Sequence, residues 1–139
     1  MPKQSWLLVV AGLLLGASLQ WVRAADTAPA RVFEIRTYHT LPGRLDALQK
    51  RFREHTMKVF EKHGMTNVAY WTPQDSPARE STLVYVISHA SREQAKANWA
   101  AFLADPEWQK IAADSQKDGK IIARIESVFL DATDYSPLK

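Results

Sequence analysis

The chain has 139 residues, 46% hydrophobic and 24% charged, with no cysteine and a formal charge of +3. That length and balance fit one globular domain and exclude two comfortable ones as well as any disulfide framework. Charges of both signs are interleaved without a block that would track a phosphate backbone, so electrostatics gives no reason to propose nucleic acid.

Residues 1–24 stand apart from the domain. Lys3 precedes an uncharged apolar run from Trp6 to Leu19, and Val22, Arg23 and Ala24 offer a small-residue cleavage site before Ala25. The segment reads as a secretory signal peptide cleaved after Ala24, which predicts a periplasmic or secreted protein. The apolar run is shorter than the roughly 20 residues that cross a bilayer, and a retained anchor is the alternative. Without Lys3 and Arg23 the 18 basic residues become 16 against 15 acidic ones, a net charge of +1. The absence of cysteine also excludes a lipoprotein acylated on an N-terminal cysteine. Residues 25–30 form a short tail, and the domain occupies 31–139.

The stretch from Val32 to Gly43 opens the domain. A period of two places Phe33, Ile35 and Thr37 on one face of a strand and Glu34, Arg36 and Tyr38 on the other. The first face is expected to belong to the core. The second, with an acid, a base and a phenol in a row, is expected to face water, a lined cavity or a partner subunit. Pro42 and Gly43 end the strand. Leu45, Leu48, Phe52 and Val59 then recur at helical spacing, with His55 and Thr56 filling the turn between Phe52 and Val59. This helix is predicted to stop at Gly64, after Lys62 and His63 in its last turn.

Thr66 to Thr72 is rich in strand formers, and Pro73 to Pro77 make a loop. Glu80 to His89 is apolar on both faces, as a central strand covered on both sides would be. Ser91 with Gln94 signals a capping box, opening a helix whose Ala95, Trp99 and Phe102 share a face. Asp105 and Pro106 start a short helix through Trp108 and Ile111 that ends at Asp118 and Gly119. Lys120 to Asp131 is the last strand, with Ile121, Ala123, Ile125 and Phe129 toward the helices and Arg124 and Glu126 opposite.

The order β-α-β-β-α-(α)-β is the α+β, ferredoxin-like split plan, an antiparallel sheet with helices on one face. Its first and third strands are central and its fourth lies beside its first. That arrangement predicts Glu34 and Arg36 beside Arg124 and Glu126 on the helix-free face, a ladder whose charges cancel.

Glu34, Arg36 and Tyr38 in the spacing E-x-R-x-Y carry a resemblance, together with the Pro42-Gly43 turn and the helix ending Lys62-His63-Gly64. The Tyr70-Trp71 strand and the Asp105-Pro106-Glu107-Trp108 element complete it. In this order they resemble the NIPSNAP domain family over essentially the whole mature chain. The resemblance implies a homodimeric α+β barrel in which two sheets pack with their bare faces together. Relatives in the wider barrel superfamily include cofactor-free quinol monooxygenases, small-lactone isomerases and haem-binding degradases. The export signal and the single domain depart from the better-known eukaryotic members.

One reading places Glu34, Arg36, Tyr38, Tyr70, Tyr85 and Arg124 around a pocket, where arginine pairs a carboxylate or enolate and tyrosine donates a hydrogen bond or stacks. The other makes the charges a salt-bridge grid that holds sheet and dimer together. His55 and His63 lack the i, i+4 spacing that closes on a metal, and His39 and His89 fall at opposite ends of the sheet. With cysteine absent and no clustered carboxylate, no metal is expected. A single histidine as axial ligand to haem, as some barrel relatives use, is an alternative that nothing local motivates, so no cofactor is expected. His55 is expected to fill the helix seam and His63 the helix's last turn. Trp99 and Trp108 are expected in the core, whereas Trp71 either reaches a cavity mouth or packs under the following loop. No nucleophile elbow, phosphate-cradling glycine loop or dinucleotide fingerprint occurs, and the third strand lacks the RNA-binding pattern. The expectation is an exported homodimer that binds a small aromatic or acidic molecule or a partner protein. The alternative is a cofactor-independent monooxygenase or isomerase using Tyr38, Arg36 and His55 on an enolisable or phenolic substrate. A third class is a purely structural interaction domain.

Overall fold

The computed structural model describes residues 31–139. The predicted signal peptide, its cleavage site and the tail over 25–30 lie outside the described residues. Strand β1 spans Val32–Thr40, and Gly43 takes a left-handed φ of +71° in the turn that follows. Helix α1 (Leu45–Arg51), a π-helical turn (Phe52–Thr56) and helix α2 (Met57–Lys62) then run on without a break.

The π turn falls where the apolar stripe is interrupted. One extra residue per turn changes the phase of everything after it, so Thr56 turns inward and its hydroxyl donates to the Arg51 carbonyl at 3.2 Å. His55 turns outward and is exposed, so it does not fill the seam as its spacing suggested; Phe52 and Thr56 do. His63 does end the helix, held by Asp105 at 2.7 Å. Gly64 follows with φ +75°, and a Cβ there would stand 3.3 Å from the Asn98 amide.

Strand β2 (Thr66–Trp71) leads through a short 3₁₀ turn (Ala78–Glu80) into strand β3 (Thr82–His89). Helix α3 (Arg92–Ala104), helix α4 (Pro106–Ser115) and strand β4 (Ile122–Asp131) complete the chain. Both predicted caps form: the Ser91 hydroxyl accepts from Gln94 N at 3.0 Å, and the Asp105 carboxylate accepts from Glu107 N at 2.8 Å. The sheet is antiparallel in the order β2-β3-β1-β4, with the first and third strands central and the fourth beside the first.

The faces of β1 are the reverse of those expected. Glu34, Arg36 and Tyr38 pair with Ile87, Tyr85 and Leu83 on β3 and with Phe129, Ser127 and Ile125 on β4. All of these point toward the helices, where Leu48, Phe52, Phe60, Tyr85, Ile87 and Phe102 form the core. Phe33, Ile35 and Thr37 lie on the helix-free side. The reversal is possible because Glu34 and Arg36 neutralise each other and an indole covers them, so a polar face can be buried while the apolar face stays open. The ladder of four charges does not form: Arg124 and Glu126 pair with His39 and Thr37 on the opposite side of the sheet.

On that helix-free side Ile35 is flanked by Val86 and Val128, Val86 is flanked in turn by Ala69, and Trp71 lies beside Val84. Trp71 and Val128 are each 54% exposed and Leu130 is 42% exposed. Trp71 therefore stands on the open face rather than beneath the loop that follows it.

Candidate functional site

Glu34 is 1% exposed, and burial alone would raise its pKa. Four donors reverse that. One carboxylate oxygen accepts from Arg36 Nη1 at 2.7 Å and from the Ser127 hydroxyl at 2.6 Å. The other accepts from Trp99 Nε1 at 2.7 Å and from His89 Nε2 at 3.1 Å. His89 must then carry its proton on Nε2, which leaves Nδ1 to accept from the Asn98 amide at 3.3 Å. Against the desolvation cost, the bonds from His89, Ser127, Trp99 and Arg36 hold the Glu34 pKa at about 2, below its ordinary 4.5.

A lowered carboxyl pKa makes the folded state the weaker proton binder. The stabilisation is therefore complete above the unfolded value of 4.5 and is lost as the pH falls through about 2. The shift corresponds to about 3 kcal/mol at about 1.4 kcal/mol per pKa unit. Urea unfolding between pH 5 and pH 2 is expected to show this loss in the wild type, and a Glu34→Gln/Arg36→Met protein should lack that share of it. Equal slopes in the two proteins would remove Glu34 as the titrating group.

Arg36 lies over two rings, its guanidinium carbon 4.3 Å from the Trp99 ring centre and 5.5 Å from that of Tyr38. Burial acts to lower its pKa, but the phenols of Tyr38 and Tyr85 and the Glu34 carboxylate outweigh it, and the net direction is up. Beside it a cavity of about 390 Å³ opens between the β1–β4 side of the sheet and helices α3 and α4. Its walls are Arg36 and Tyr38 from β1, Arg51 from α1, Trp99 and Phe102 from α3, and Trp108 from α4, with Ile122 and Ile125 closing the β4 side. That volume lies near the lower end of the roughly 300–1,000 Å³ typical of ligand sites.

The six residues singled out in the sequence therefore separate. Arg36 and Tyr38 line the cavity, and Glu34 holds Arg36 in place. Tyr85 is sealed beneath Tyr38, its ring centre 5.3 Å away, with a hydroxyl that makes no hydrogen bond; burial pushes its pKa well up. Tyr70 stacks on Tyr85 and donates to Asn67 Oδ1 at 2.5 Å, facing a separate groove along β2. Arg124 is not part of the site. It sits exposed on the other face, 2.6 Å from Glu126 and 2.9 Å from His39. Arg51, Trp99 and Trp108 belong to the cavity, although the two tryptophans also pack against the core as expected.

These features define an α+β domain of ferredoxin-like plan whose helix-side cavity joins two arginines, Arg51 buried and Arg36 half-buried, to aromatic walls. The chain belongs to the NIPSNAP family, whose family model matches residues 33–137. Solved structures share the fold. A NIPSNAP family protein of unknown function from Agrobacterium tumefaciens superposes with a TM-score of 0.68 at 22% identity, covering 80% of this chain and 96% of that one. An uncharacterised NIPSNAP-like domain protein from Burkholderia xenovorans gives 0.67 at 18% identity, covering 78% and 90%. A second Agrobacterium tumefaciens NIPSNAP family protein gives 0.68 at 20% identity, covering 78% and 99%. No curated protein matches the chain.

Proposed function

We propose that this chain is an exported homodimer that binds a small aromatic or acidic molecule in the cavity between its sheet and helices α3 and α4. The carrying observation is the lining itself: the buried guanidinium of Arg51 and the half-buried one of Arg36 beside the rings of Tyr38, Trp99 and Trp108. Guanidinium recognises a carboxylate through paired donors, and indole recognises a flat ring through its face. The apolar helix-free face supports pairing with a second copy, and the apolar run before Ala25 supports export.

Binding is favoured over turnover by what the cavity lacks. Proton abstraction needs an acceptor within reach of the substrate. Among the described residues, no imidazole and no free carboxylate lines the cavity. Glu34 has its oxygens filled by four donors. Of the three groups named for the oxygenase or isomerase alternative, Tyr38 and Arg36 line the cavity, whereas His55 lies outside on a surface groove.

Native mass spectrometry of the protein secreted from its own signal peptide reads all three elements together. The expected species is a dimer of chains beginning at Ala25 with a retained small molecule, or one that takes up aromatic acids with quenching of tryptophan fluorescence. An empty dimer that quenches with none of them would overturn the binding reading. A monomer would overturn the pairing, and a chain still beginning at Met1 would overturn cleavage.

A further inference from the structure

Arg51 is a buried cation without a counter-ion. It is 5% exposed, and among the described residues no carboxylate oxygen lies within 4.0 Å of its guanidinium. Its hydrogen bond is one long donation from Nη1 to the Ser115 hydroxyl at 3.3 Å, and that hydroxyl donates onward to Ala112 O. Its Nε is buried with no acceptor. The guanidinium carbon lies 5.3 Å from the Trp108 ring centre.

Buried charges are ordinarily paired, because an unpaired one forfeits its hydration for nothing. Arg36 in the same cavity follows the rule through Glu34; Arg51 does not. Of the acids lining the outer groove, Asp114 pairs with Lys110 and Lys117, Glu107 with Lys62 and Glu54 with His55, and Asp118 makes no ion pair with Arg51. Burial lowers the Arg51 pKa, yet an arginine keeps its proton in proteins, so the charge persists. The backbone is also arranged around it: the π turn begins at the next residue, and Thr56 reaches back to its carbonyl. Such turns are frequent at functional sites. Arg51 borders both the inner cavity and a surface groove of about 580 Å³ between α1 and α4, which gives a solute a way to reach it.

We infer that Arg51 is the anion-receiving residue of the cavity and that the ligand is a flat aromatic monocarboxylate, its carboxylate on the Arg51 guanidinium and its ring against Trp99 and Trp108. The inference rests on the binding reading and adds the ligand's charge and the residue that meets it. One charge is specified because the Glu34–Arg36 pair is neutral and leaves Arg51 alone to be balanced. A flat ring is specified because Tyr38, Phe102 and the two indoles line the cavity beside Arg51.

The test is calorimetric titration of the mature protein with benzoate, cinnamate and 2-naphthoate, each against its neutral amide, repeated on Arg51→Met. Charge-assisted hydrogen bonds predict that the wild type binds the best-fitting acid about 10- to 100-fold tighter than its amide. Arg51→Met should remove that preference and leave the amide's affinity within about three-fold, since the methylene stem remains. Its urea midpoint should equal or exceed that of the ligand-free wild type, because an uncompensated buried charge is gone. Acid and amide binding equally, or a preference surviving in Arg51→Met, would overturn the assignment while leaving the cavity reading intact. A fall in the urea midpoint would make Arg51 a folding cation and overturn it too. Failure of all six compounds to bind would overturn both readings.

Discussion

Replacing Glu34 with glutamine is expected to lower the unfolding free energy by about 3–5 kcal/mol, the usual result of breaking a buried ion pair from one side. The geometry makes the loss large. Four donors converge on two oxygens, and a glutamine offers one carbonyl oxygen while turning an NH₂ toward two of them. Arg36 loses its counter-charge in the same step and becomes a second uncompensated cation on one cavity. Removing both charges should cost less than removing one, so Glu34→Gln/Arg36→Met is expected to recover most of the loss in urea unfolding. A coupling energy near zero across this double-mutant cycle would mean that the pair contributes nothing beyond its separate parts. The reason to retain such a pair is the cavity. It keeps the Arg36 guanidinium over Trp99 and balances its charge, which under the proposed assignment leaves Arg51 to set the sign of the ligand.

Much of this arrangement is legible in the sequence, and what is not has a physical cause. Caps and breakers are local chemistry, which is why the ends at Gly64, Ser91 and Asp105-Pro106 fall where the residues place them. The order of elements then admits few topologies, and the central strands follow from it. The sidedness of β1 is a different kind of fact. A period of two says that Phe33 and Glu34 point apart, but it says nothing about which side the helices take. The usual rule, apolar inward, fails when both sides are to be covered, one by the chain's own helices and one by something else. Trp99 is the residue that decides it, and its indole N–H finds Glu34 across 65 positions of sequence.

The burial of Arg51 is not legible in the sequence for a related reason. On an ideal helix it stands three residues after Leu48 at the flank of the apolar stripe, in the last turn of α1, where a basic residue ordinarily suits the helix dipole. Only the π turn and the approach of α4 enclose it. The break in the stripe at His55 and Thr56 was the visible trace of that turn, but a gap in periodicity does not say whether the helix bulges or simply exposes a polar residue there.

Substituting Ile35 with glutamate is expected to weaken self-association by about four orders of magnitude while leaving the protomer folded. Ile35 sits at the middle of the helix-free face, between Val86 on β3 and Val128 on β4. In the separate protomer a carboxylate there can reach water, so the fold tolerates it. In a two-fold symmetric pair the same position is presented by both copies, and each buries an unpaired charge against Val86 and Val128. At about 3 kcal/mol per buried unpaired charge, the two together amount to about 6 kcal/mol of association free energy. Sedimentation velocity over a concentration series measures the shift, far-UV circular dichroism checks the fold, and Ala101→Glu on the exposed side of α3 controls for added charge. If Ile35→Glu remains a dimer, the copies meet elsewhere, and the open faces with Trp71, Val128 and Leu130 need another occupant. If it becomes a folded monomer that still binds aromatic acids, each protomer holds a complete cavity behind its own sheet, and pairing serves to cover the apolar side that burying Glu34 and Arg36 left facing out.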